Sequence, residues 1–99
     1  MTPQNPAQHA RVAADALERL VRDVQTGRAA WAHPHSVRQA VDDLTRITTA
    51  ASTALQQLAA AHGQQPGPRA AQGVAALHQA GQYTTTAAAQ LRSARHNMN

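Results

Sequence analysis

The chain has no cysteine, no lysine and no phenylalanine, and only one tryptophan and one tyrosine in 99 residues. Without cysteine there can be no disulfide framework and no thiolate metal site. That fits a cytoplasmic setting and is equally compatible with export by a dedicated machine. No apolar run approaches the roughly 20 residues of a membrane span. Residues 1–6 lack the basic and apolar regions of a secretion signal, so no membrane partner is expected. Acids are few and confined: all five lie at or before Asp43, where they balance five arginines, and beyond it only Arg46, Arg69, Arg92 and Arg95 are charged. A half-chain of one sign can serve an acidic partner such as nucleic acid. It also matches a sparse Gln- and Thr-rich surface with a few solvating charges.

Large apolar side chains are scarce as well. Seven Leu, six Val and one Ile stand against twenty-four Ala. Alanine has the highest helix propensity but buries little area. A chain so composed favours helix strongly and has little material for a core, so it must either bring helices close over small residues or complete its core against another chain. One domain at most fits this length. The use of Arg alone for basic residues, with abundant Ala, suggests high-GC coding of the kind found in actinobacteria.

Three helices emerge along the chain. Asn5-Pro6-Ala7-Gln8 combines a good N-cap, a proline suited to the first helical position and a Gln three residues after the cap. Ala10, Ala13, Leu17, Leu20 and Val24 then recur at three- and four-residue steps, with Arg, Asp and Glu off that stripe. Gly27 is a fitting end, giving a helix over about 6–27, the alternative being a helix that continues through it to Trp31. A turn is expected over 28–35, where His33-Pro34-His35 interrupts the pattern, and Ser36 with Gln39 offers a second cap. The next helix, 36–62, carries the longest regular signal: Val37, Val41, Leu44, Thr48, Ala51, Leu55, Leu58 and His62, with Ile47, Ala54 and Ala61 beside them. Those alternating steps are those of a coiled-coil seam.

Gly63-Gln64-Gln65-Pro66-Gly67-Pro68 makes a short turn between antiparallel neighbours. A third helix follows over about 69–94, with a seam of Ala70, Val74, Leu77, Gly81, Thr84, Ala88 and Leu91. Gly73 and Gly81 each weaken it by about 1 kcal/mol relative to Ala. One helix running through Gly81 is preferred to two, and the tail from His96 should fray. No stretch reads as a strand. The expected class is all-α: an antiparallel up-down-up three-helix bundle with a long central helix, a single helical domain over 1–99, completed in part by dimerisation.

Chemistry-bearing constellations are weak. His33 and His35 flank Pro34 without a third ligand nearby, and no His-x-x-x-His occurs. Asp42 and Asp43 are adjacent and so diverge on a helix. Ser36, Ser52 and Ser93 lack a glycine-flanked elbow, and no phosphate-binding glycine motif is present. No enzyme activity, cofactor or metal is therefore expected. A helix-turn-helix with its turn at Gly81 would place Gln82 and Gln90 where apolar residues belong.

The favoured function is a non-enzymatic protein–protein interaction or self-assembly module whose partner is a second copy or another helical protein. Its candidate interface residues are Trp31, Leu44, Leu55, Leu58 and Tyr83, with Trp31 the expected anchor of a homodimer. Leu44, Leu55 and Leu58 are expected to be buried, with Leu17, Leu20 and Val24 opposite them. The alternative is a small DNA-binding accessory protein contacting phosphate through Arg69, Arg92 and Arg95.

Overall fold

A computed structural model describes residues 5–28, 31 and 33–98. The chain is all-α, with three helices in the expected order and no strand among the described residues. Helix α1 spans Pro6–Gln25, α2 Pro34–His62 and α3 Pro68–His96. Each opens on a proline, whose fixed φ suits the first helical position and whose missing N–H would have no helical partner there. For α2 this overrides the expected start at Ser36, which lies inside the first turn instead of capping it. The expected turn over 28–35 falls partly outside the described residues, at 29, 30 and 32.

The chain falls into two compact units, Met1–Pro34 and His35–Asn99. In the first, Asn5 caps α1 by accepting the Ala7 amide at 3.0 Å through its side-chain oxygen. Gly27, at φ 77°, takes the left-handed conformation just beyond the helix end, as its placement in the sequence predicts. No residue of α1 is buried; Leu17, Leu20 and Val24 are half-buried, and Val12 and Val21 are exposed.

The second unit is a helical hairpin. Its antiparallel sense is fixed by contacts between His62 and Gly73, Ser52 and Gly81, and Asp42 and Arg95. At the turn, Gly63 follows α2 but is not left-handed; the positive φ belongs to Gly67, at 108°. Gly63 sits close to its neighbours: a Cβ there would lie 3.4 Å from Val74 Cγ2 and a tight 3.2 Å from the Ala59 carbonyl oxygen. Helix α3 is continuous through Gly81, so no turn and no recognition helix exists at that point. The helix runs to His96, and beyond it the Asn97 amide donates to Ser93 and Ala94 and the Met98 amide to Arg95; residue 99 lies outside the described residues.

The α3 side of the hairpin contact is the seam read from sequence. Ala70, Gly81 and Ala88 are buried, and Val74, Leu77, Thr84 and Leu91 are half-buried. The α2 side is corrected by one position. Ser52 and Ala59, the latter 1% exposed, fill the places expected for Ala51 and Leu58, and Leu58 is 55% exposed. Leu44 and Leu55 are half-buried, not buried. The physical reason is size: at the covered Ser52 and Ala59 positions, 7% and 1% exposed, a side chain as large as leucine would hold the helices apart. Among the described residues the fully covered positions are accordingly Ser52, Ala59, Ala70, Gly81 and Ala88.

Candidate interaction surface

Val41, Thr45, Thr48, Ser52, Leu55, Ala59 and His62 of α2 form a buried or half-buried run of alternating four- and three-residue steps, and Ser52, Leu55 and His62 along it lie against α3. The polar members are satisfied locally. Thr45 and Thr48 donate to the Val41 and Leu44 carbonyls at 2.7 and 3.0 Å. At mid-hairpin, Ser52 Oγ lies 2.6 Å from Thr85 Oγ1, and both hydroxyls reach the Gly81 carbonyl, at 3.1 and 2.9 Å. Each hydroxyl has one hydrogen. Whichever of them donates to the carbonyl, the other donates within the pair, so nothing buried is left unpaired. At the open end, Arg95 Nε donates to Asp42 Oδ1 at 3.1 Å.

The hairpin has two unlike flanks. On one, Thr49 and Thr53 of α2 face Thr85 and Arg92 of α3, and Gln56 shares a shallow groove of about 520 Å³ with His78, Gln82 and Thr86. Because both helices turn polar residues to this flank, positions rotated the opposite way about each helix share the other. There α2 carries Val37, Ala40, Leu44, Ile47, Ala51, Ala54, Leu58 and Ala61 at steps of three and four. All eight are apolar. Ile47 is 39% exposed, Ala54 and Ala61 are exposed like Leu58, and the rest are half-buried. Half-buried Leu77, Ala80, Thr84 and Leu91 of α3 border the same flank.

This stripe was only partly read from sequence, where Ile47, Ala54 and Ala61 appear as flanking positions. Four-three spacing holds in two neighbouring registers of α2, and spacing alone does not say which faces the partner helix. The missing signal was residue size: the register holding Ser52 and Ala59 suits close approach, and the register holding Ile47 and Leu58 does not.

The expected interface residues do not form one patch. Leu44 and Leu58 belong to the apolar flank. Leu55 belongs to the helix contact, its Cβ 3.8 Å from where a Cβ on Gly81 would lie. Tyr83 is 66% exposed on the outer side of α3, where its hydroxyl accepts from Gln79 Nε2 at 3.0 Å. Trp31 is 47% exposed, in the other unit. The expected phosphate contacts also scatter. Arg69 opens α3 and Arg92 lies near its end, about 35 Å away along a helix rising about 1.5 Å per residue. Arg95 is engaged with Asp42.

Among the described residues, no three His, Asp or Glu side chains gather in a set that could hold a metal ion. No helix among them is long and apolar enough to cross a membrane. Comparison of the chain with protein-family models, with curated proteins and with solved structures finds no match.

Proposed function

We propose that this is a non-enzymatic helical module for protein–protein interaction or self-assembly, working through the apolar flank of α2. One observation carries the reading. The only wholly apolar four-three stripe of α2 is not the stripe that meets α3, and Ile47, Ala54, Leu58 and Ala61 along it are exposed. Within a hairpin whose covered positions are all small, the larger aliphatics stand where a further helix would meet them. Burying an aliphatic side chain of this size yields about 1.5–3 kcal/mol. The DNA-binding alternative gains no support from the arginines, which are spread along the whole length of α3 and partly paired.

Sedimentation velocity across the micromolar range, run beside electrophoretic shift of duplex DNA at low and high salt, tests this choice. Concentration-dependent association with no DNA shift is the expected result. A monomer at every concentration that shifts DNA at low salt and releases it at high salt would overturn it.

A further inference from the structure

We infer that the occupant of the α2 apolar flank is the same flank of a second copy, packed antiparallel about a two-fold axis beside Ala51. The inference rests on the interaction reading above and names its partner and register. A two-fold contact uses one patch twice, so it requires a patch complementary to itself under reversal. The stripe has that property. With Ala51 at the axis, Leu44 meets the partner's Leu58, and Leu58 meets the partner's Leu44. Ile47 meets the partner's Ala54, and Ala40 meets the partner's Ala61. Leucines oppose each other toward both ends with alanines at the outermost step, a large residue opposes a small one next to the axis, and an alanine lies at the axis itself. No charged or hydrogen-bonding side chain interrupts the stripe, so the contact desolvates no polar group at its centre.

Four residues of this contact are open, Ile47 and Ala54 next to the axis and Leu58 and Ala61 farther out, while Ala51 at the axis is half-buried. From Ala40 to Ala61 the stripe runs about 32 Å on a helix about 10 Å across, which buries of the order of 1,000 Å² counting both copies. That lies at the lower edge of specific interfaces and suits a dimer that forms in the micromolar range.

The test uses the whole chain and exploits its lack of cysteine. Mild oxidation of the Ala51→Cys variant should give a covalent dimer in high yield, because a residue beside the axis meets its own copy within disulfide reach. Ala60→Cys, an exposed position rotated away from the stripe, should give little. In sedimentation, Leu58→Arg and Leu44→Glu should each weaken self-association by about tenfold or more, with helical circular dichroism retained. Mixing these two variants should restore a dimer, because the register sets the new guanidinium against the new carboxylate at one end and leaves a leucine pair at the other. Should either charged variant lose its helical signal, the cysteine pair still decides. Equal cross-linking at 51 and 60, or a dimer that survives Leu58→Arg unchanged, overturns this interface while leaving self-association standing. A wild type that stays monomeric throughout the micromolar range overturns both.

Discussion

Helix α1 segregates its charges from its aliphatics more cleanly than α3 does, yet no α1 residue is buried, whereas Ala70, Gly81 and Ala88 of α3 are. Within the hairpin, small residues govern what is buried. α3 has Gly73, Gly81 and Thr84-Thr85-Thr86 along it, residues that weaken an isolated helix. Those same residues let another backbone come close, and the threonines return their hydroxyls to carbonyls of their own helix: Thr84 to Ala80, Thr85 to Gly81, Thr86 to Gln82. Closeness brings many weak dispersion contacts per residue, which partly replaces the area that large side chains would cover. α1 has the opposite endowment, with Leu17, Leu20 and Val24 on a stripe beside exposed Val12 and Val21.

The sharpest way to break this comparison is to invert sizes on α2. Ala59→Leu inserts three heavy atoms at a position 1% exposed, on the line that meets α3. It should cost about 1–3 kcal/mol, or more if the hairpin cannot open. Leu58→Ala removes the same atoms one position away, from a side chain 55% exposed, and should cost the isolated chain well under that. Urea denaturation at a concentration low enough to keep the chain monomeric measures both. If Leu58→Ala proves the more damaging, ordinary leucine burial holds α2 and the small-residue account fails.

A second measurement separates the glycines by what surrounds them. A Cβ on Gly81 would make ordinary contact, 3.8 Å from Leu55 Cβ and from the Ser52 carbonyl oxygen. Gly81→Ala should therefore gain most of the helix-propensity difference, up to about 1 kcal/mol. A Cβ on Gly73 would fall 2.5 Å from His62 Nε2. Gly73→Ala must push the imidazole out of its notch, so it should gain clearly less than Gly81→Ala or lose stability. Thermal unfolding of the two variants side by side checks the difference; equal gains would show that His62 moves away freely.

Much of this architecture is legible in sequence because it is written in local chemistry. Pro6 marks the first helix start, Asn5 caps it and Gly27 ends it, each through one or two residues, while Pro34 and Pro68, placed in the turns by the sequence reading, open α2 and α3 within two residues of the expected starts. The α3 seam read from sequence is the one that packs, although the neighbouring register of Gly73, Leu77, Ala80, Thr84, Ala87, Leu91 and Ala94 is equally small and apolar. The α2 contact is not legible, because two registers are equally periodic and the choice depends on how near α3 can come, which is a property of both helices together. The same non-locality hides the Ser52–Thr85 link, whose partners stand 33 residues apart, and it scatters Leu44, Leu55, Leu58 and Tyr83 over three different surfaces.

The smallest effect tests whether charge contributes to the hairpin at all. Asp42 and Arg95 join α2 to α3 near the open end at 3.1 Å, with side chains 55% and 32% exposed. Both groups keep much of their water, so the attraction is screened, and ordering two side chains offsets part of it. Exposed pairs of this kind contribute about 0.2–1 kcal/mol. Asp42→Asn keeps the side-chain shape and removes the charge, so it should lower stability by an amount in the lower part of that range. The loss should shrink as salt is raised, because at about 1 M the screening length is about 3 Å. Paired urea titrations of wild type and variant at low and high salt read the difference directly. A loss that exceeds the exposed-pair range and persists in high salt would mean that the end of the hairpin depends on a desolvated ion pair, and that packing of small residues alone does not fix its register.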